Sequence, residues 1–344
     1  MTGLRFTIAR VAIVMGVLAM LPFGPAAAQT TPPDKPTPAL RPFVPPKTPW
    51  GEPDLQGLYS NKTITPLERP AQFAGQAELT NEEIADLENR AATRSVDNGR
   101  AKGSESDVSS AYNEFWWDRG KKVTTKRSSL VIDPPDGRVP ALTADAQRRA
   151  ADEYKQPIFR GGGANGRSAD WTTDRSLFER CITRGLPGAM SPSAYNNTYR
   201  IVQSPGYVAV QIEMLGGTRV IPTNGGGHIG PSLRQYLGDS RGHWEGNTLV
   251  VETTNFSTRT LYRGASENLK LVEHFTVVDP NTLDYEFTVI DPTTFVRPWT
   301  AAIPYVRTTD QLFEYACHEG NYGMDGILRG ARVEEAKAAG ETRR

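Results

Sequence analysis

Cysteine and histidine are scarce in this chain of 344 residues: there are two of the first, Cys181 and Cys317, and four of the second. No C-x-x-C or H-E-x-x-H occurs, so the sequence offers no multidentate set for zinc or iron, and no metal or other cofactor is expected. G-K-[S/T] is missing too, which argues against a phosphate loop. The run GGGANG from Gly161 fits G-x-G-x-x-G only formally, because it lacks the preceding strand and the apolar helix after it. An excess of either charge is also absent. Thirty-nine Lys and Arg balance 39 Asp and Glu, so there is no basic footprint for nucleic acid.

Long hydrophobic runs are confined to the start. Arg5 and Arg10 precede an apolar run from Val11 to Phe23, followed by the small residues Ala26, Ala27 and Ala28. That layout predicts a signal peptide over 1–28, cleaved before Gln29. No later run approaches the ~20 apolar residues of a spanning helix, so no membrane insertion is expected once the leader is removed. The expected location is periplasmic or secreted. In such an oxidising compartment two lone cysteines usually pair, which predicts a Cys181–Cys317 disulfide. It would close a loop of roughly 135 residues, worth up to ~5 kcal/mol on chain-entropy grounds.

With 32 Gly and 26 Pro, the composition favours many turns over long helices. Residues 29–49 form a Pro-rich linker. Residues 50–194 read as a mixed α/β region, with Thr80 and Glu83 forming a capping box before NEEIADLENRAAT and Thr143 opening a second helix, ADAQRRAADEY. Between them, SSLVID reads as a strand and PPDG as a turn. Residues 195–323 carry successive strand signals separated by turns at Pro205-Gly206, Gly216-Gly217, Gly246-Asn247 and Pro280-Asn281, followed by WTAAIPYVR and QLFEYAC. Residues 324–344 read as a C-terminal helix and charged tail. The fold class is therefore mainly β: an antiparallel meander closing into a lipocalin-like barrel, with an N-terminal mixed α and irregular region.

The longest hairpin allows a finer reading. With Pro280 and Asn281 as the two turn residues, 276 pairs with 285 and 274 with 287. One face then carries Val272, His274, Thr276 and Val278 against Leu283, Tyr285, Phe287 and Val289. This more apolar face should point inward, placing His274 opposite Phe287; one bulge would exchange the faces. An inward histidine among aromatics suits ligand contact or acid–base work, the competing reading being a hydrogen-bonded core histidine. Alternation in LFEYACHE puts Phe313, Tyr315, Cys317 and Glu319 on one packed row. His228 lies in the glycine-rich TNGGGHIG, a loop able to fold over a barrel opening or simply to lie on the surface. Trp116 and Trp117 could stack on a ligand or simply pack. Glu213, Glu273, Glu286 and Glu319 are carboxylates available for pairing.

PWGEPDLQGLYSN, SSLVIDPPDGRVP, GDSRGHWEGNTLVVETTNF, DPTTFVRPWTAAIP and EYACHEGNYGMDGILRGAR resemble the motifs of a family of exported proteins from environmental bacteria. The resemblance runs from about Trp50 to Arg332 and implies export, but no mechanism. It implies that Arg219, His228, Arg234, Trp244, Arg297, Trp299, His318, Glu319 and Asn321 fall in recurrent motifs. Similar proteins carry Arg in place of His243, so it implies no role for that histidine.

Three function classes remain: a barrel binding a small, partly apolar molecule; a metal-independent lyase, isomerase or hydrolase working by His/Glu acid–base chemistry; and an envelope interaction module. For either of the first two, the expected catalytic group is His274, His228 and Glu319. Arg297 and Trp299, with Tyr285 and Phe287, would hold the ligand. Nothing in the sequence fixes an oligomeric state.

Overall fold

The computed structural model describes residues 43–93, 102–104, 118–153, 171–259 and 262–341. The leader 1–28, most of the Pro-rich stretch, Trp116, Trp117 and the glycine run from Gly161 lie outside these residues. The described residues belong to one unit, Pro42–Arg344.

In chain order its elements are β1 (Gly57–Ser60), α1 (Asn81–Thr93), β2 (Val131–Asp133), α2 (Ala144–Glu153), β3 (Thr198–Ser204), β4 (Tyr207–Ile212), β5 (Thr218–Pro222), β6 (Asp239–Glu245), β7 (Thr248–Thr254), β8 (Lys270–Asp279), β9 (Thr282–Ile290), β10 (Trp299–Arg307) and α3 (Tyr322–Glu341). The starts of α1 and α2 follow from their caps. The Thr80 N–H donates to the Glu83 carboxylate at 2.7 Å and the Glu83 N–H returns a bond to Thr80 Oγ1 at 3.2 Å. Thr143 Oγ1 accepts from the Ala146 N–H at 3.1 Å.

Nine strands follow one another in the order β5-β4-β3-β1-β10-β9-β8-β7-β6, and β2 joins beside β10. The result is a nearly closed, mainly β barrel. Every step along that path is antiparallel. Eight reversals leave the two end strands, β5 and β6, running the same way, so the meander cannot continue its antiparallel ladder around the circle. Side chains join these ends instead. Gly242 on β6 lets Ile221 and the following Thr223 approach, since a Cβ there would lie 3.0 and 3.1 Å from their methyl groups. Residues 223–238 connect β5 to β6 as a long strap.

The barrel is not built from residues 195–323 alone, as the sequence reading had it. β1 lies between β3 and β10, and β2 pairs with β10 at Thr300 and Ala301. At the other limit, QLFEYAC is not a strand; residues 308–321 are irregular and Phe313 is 61% exposed. Once β1 and β2 occupy the edge of β10, that strand offers the segment after it no free ladder.

The register of β8 and β9 shows why half of the hairpin reading fails. Asp279 pairs with Thr282 across the expected turn, but Val277 pairs with Leu283, leaving Val278 as an extra residue. This bulge shifts β8 by one, so every side chain below it changes face. Leu271, Glu273, Phe275 and Val277 point inward beside Leu283, Tyr285, Phe287 and Val289, all buried. His274 therefore pairs with Glu286 and faces outward.

Aromatic rings fill the interior. Tyr199 and Tyr305 lie 4.9 Å apart between ring centres, Tyr285 and Tyr305 5.3 Å, Phe275 and Tyr285 4.9 Å, and Phe287 and Trp299 5.7 Å. Leu186, Ala189 and Met190, from the segment leading to β3, join the same core. Their backbone serves the tyrosines: Tyr199 donates to the Ala189 carbonyl at 3.2 Å and Tyr305 to that of Met190. Burial pushes the Tyr199 phenol up to about 12 and the Tyr305 phenol well above its ordinary value, so both act as neutral donors.

Candidate functional site

Among the described residues, the inward face carries one charged pair. Arg219 on β5 is 3% exposed and Glu273 on β8 is fully buried. The guanidinium donates to both carboxylate oxygens, at 2.7 and 2.5 Å, to Ser240 Oγ at 2.9 and 3.1 Å, and to Thr253 Oγ1 at 2.8 Å. The Tyr285 hydroxyl adds a third donor to Glu273 at 2.8 Å. Burial alone would weaken the charge on Arg219; Glu273 beside it more than compensates, raising its pKa. Tyr285 is held well above its ordinary pKa by burial and by the same carboxylate. Because Ser240, Thr253 and Glu273 sit on β6, β7 and β8, this one arginine ties β5 across the gap to three strands. Its donors are spent on the protein itself, so the cluster acts as a closure.

His228 occupies the strap. Its Nδ1 lies 2.8 Å from Asp239 Oδ2, which also accepts the Ile229 N–H at 3.1 Å. Asp239 takes a further contact from Arg241 at 3.1 Å. With Nδ1–H donated to Asp239, the His228 Nε2 carries the free lone pair, and it faces Glu252 Oε1 at 3.6 Å. Glu252 is paired with Lys270 on its other oxygen. Strand alternation puts Arg241 and Glu252 on the outer face, opposite the inward Ser240 and Thr253. The strap therefore clasps the outer wall. Asn255 reinforces it by donating to the carbonyls of Ile229, Gly230 and Leu233 at 3.3, 2.9 and 3.1 Å.

The other expected site residues do not converge. His274 stands on the outer wall, 35% exposed and 3.6 Å from Glu286; the bulge at Val278 overturns its inward placement. Glu319 is exposed in the irregular segment after β10, so the packed strand row that should have carried it does not form. Arg297 is half-exposed and spends one nitrogen on both oxygens of Asp133, at 3.0 and 2.9 Å. Trp299, Tyr285 and Phe287 do point inward, but as fully buried members of the packed core. Trp299 Nε1 finds no acceptor among the described residues. Cys181 and Cys317 are bonded, with Cα atoms 5.6 Å apart. Nearby, Asn321 donates to the Glu179 carbonyl at 2.8 Å. No group of three His, Cys, Asp or Glu among the described residues is arranged to hold a metal ion, and none of their helices is long and apolar enough to cross a membrane.

A concave surface does exist, lined by none of these. It is an open cleft of about 470 Å³ lined by Glu68, Val139–Leu142, Arg263 and Phe295. Leu142 and Phe295 face each other in an isolated bridge, and the Val296 N–H donates to the Ala141 carbonyl at 3.1 Å. One wall is thus apolar. At the edge, Arg263 donates to Glu68 at 2.7 Å. Arg263 holds a left-handed backbone (φ 53°, ψ 37°), uncommon for a residue with a Cβ. These residues come from four separated stretches with no shared periodicity, so nothing in the sequence brings them together. Val139, Pro140 and Phe295 do fall within the motifs SSLVIDPPDGRVP and DPTTFVRPWTAAIP.

No family model and no curated protein matches the chain. Among solved structures, it is similar to a secretory abundant heat soluble (SAHS) protein from Ramazzottius varieornatus, at 14% identity and a TM-score of 0.24, over 39% of this chain and 87% of that one. It is also similar to a mutant of the fluorescent protein UnaG, at 14% identity and a TM-score of 0.20, over 33% of this chain and 72% of that one. At these scores neither likeness carries an argument about this chain, and its architecture rests on its own strand pairing: a mainly β, lipocalin-like barrel, nearly closed and filled.

Proposed function

We propose that this is an exported, periplasmic or secreted protein that binds a small, partly apolar molecule in the cleft lined by Glu68, Val139–Leu142, Arg263 and Phe295. The observation that carries the reading is the contrast between two spaces. The barrel interior is occupied by Tyr199, Tyr285, Phe287, Trp299 and Tyr305, whereas the cleft is open, apolar on one wall and of a size that small-molecule sites commonly have. Nucleic acid is not the partner, since neither sign of charge is in excess. The cleft is tested with N-phenyl-1-naphthylamine, an uncharged aromatic whose fluorescence rises in apolar surroundings. Saturable binding to the wild type, lost in Leu142→Asp with an unchanged circular dichroism spectrum, supports this site. Equal binding by both proteins rejects it.

A second reading rests on the His228–Asp239 pair. An imidazole oriented through Nδ1, with Nε2 free and a carboxylate facing it, is the arrangement of a general base. On this reading the chain is a metal-independent enzyme whose acid–base group is His228, without His274 or Glu319. Turnover of any substrate found should then fall at least ~100-fold in His228→Ala; undiminished turnover would remove His228 from the chemistry.

A further inference from the structure

We infer that the molecule held in the cleft is an amphipathic anion, whose carboxylate or sulfonate takes the place of Glu68 on Arg263. The inference rests on the cleft being the binding site. Among the described residues the Arg263 guanidinium meets Glu68 alone, through Nη2, and 40% of the arginine side chain remains exposed. A guanidinium has five donors in a planar fork suited to a two-oxygen anion, so most of its capacity is unspent. The Glu68 pair is itself half-exposed, and such pairs are worth little net stability, so a ligand anion can compete for the arginine.

The two ends of that pair are not equivalent. Glu68 has a second partner, the Val139 N–H, which reaches its other oxygen at 3.4 Å. A displaced Glu68 carboxylate keeps a donor on the cleft wall, while a displaced Arg263 would have no acceptor among the described residues. Exchange therefore favours an incoming anion over an incoming cation. The apolar part of the ligand would lie along Val139, Pro140 and Leu142 towards Phe295, which is 2% exposed and fixed in the core. A rigid wall beside a displaceable counter-ion selects a compact apolar body carrying a single negative group.

Two probes that share one aromatic body separate this inference from the site itself: N-phenyl-1-naphthylamine, uncharged, and 8-anilinonaphthalene-1-sulfonate, which adds a sulfonate. At low salt the sulfonate is expected to bind roughly tenfold more tightly to the wild type, the scale of one charge-assisted hydrogen bond. Arg263→Gln should abolish that preference and leave the uncharged probe unchanged. Glu68→Gln should raise sulfonate affinity several-fold by freeing the arginine. If both probes bind in the cleft equally, or if Arg263→Gln leaves the sulfonate's affinity intact, the anion inference fails while the cleft stands. If Leu142→Asp leaves both probes bound as in the wild type, or if neither binds the wild type, the site and the inference fall together.

Discussion

Replacing Arg219 by methionine tests whether one side chain holds the barrel closed. The side chains of Arg219 and Glu273 are 2% and 0% exposed, so both charges are out of water. Arg219→Met takes two charged donors from Glu273, which keeps only Tyr285 at 2.8 Å and Thr253 at 3.3 Å. Ser240 and Thr253 lose the guanidinium but still bond each other at 3.0 Å. Leaving a carboxylate buried without its counter-charge costs about 3–5 kcal/mol. Glu273→Leu should cost as much, since it strands a buried guanidinium. The double variant removes both charges and leaves one orphaned group, the Tyr285 hydroxyl, worth about 1–3 kcal/mol. It should therefore be more stable than either single variant, with a coupling free energy of about 3 kcal/mol or more. The assay is urea unfolding at pH 7, followed by tryptophan fluorescence, on the four proteins of the cycle. A loss below about 1 kcal/mol in Arg219→Met, or a double variant destabilised by the sum of the singles, would refute the closure argument.

Three further outcomes are expected. Thiol titration of the denatured, unreduced protein should find no free cysteine, and Cys181→Ser with Cys317→Ser should lower stability by up to ~5 kcal/mol, because the bond spans 136 residues. Asp291 accepts bonds from the N–H and hydroxyl groups of Ser266 and Thr293. Burial acts to raise its pKa, but bonds from Ser266, Thr294 and Thr293 outweigh it and leave the pKa below the ordinary value. Its stabilisation is therefore present above the unfolded value of about 4 and lost as pH falls through the folded one; wild type and Asp291→Asn should converge in unfolding free energy between pH 4 and pH 2, and curves that stay parallel would contradict this. Finally, His274→Ala should change stability by less than about 1 kcal/mol, as for an outer-wall residue, read by thermal melts.

Much of the barrel was legible because its hairpins are local. Turn residues such as Pro205-Gly206 and Gly246-Asn247 mark their own positions, and the inward row of β9 from Leu283 to Val289 follows from alternation. The face of β8 was not legible, because a bulge has no signature in a strand of β-branched and aromatic residues, and Val278 fits the pattern either way. The Cys181–Cys317 bond needed only an oxidising compartment and an even count. The candidate site was hardly legible at all. Asp239 meets His228 only because the strap folds back along β6, and Glu68 meets Arg263 only through the tertiary fold. Arg219 and Glu273 were both visible as charged residues, but their pairing depends on the parallel approach of β5 and β6.

The position of β1 also bears on how the chain folds. β3–β5 and β6–β10 are two runs of successive hairpins that can form from neighbouring sequence, whereas β1, made earliest, pairs with one strand of each. The two meanders thus have low contact order, and the step that joins them is strongly non-local. Until β10 has been synthesised, β1 has only half its ladder, and the meanders expose open edges to other chains. Aggregation during production should therefore respond more to changes in the four residues of β1 than to changes of equal equilibrium cost in the hairpin turns.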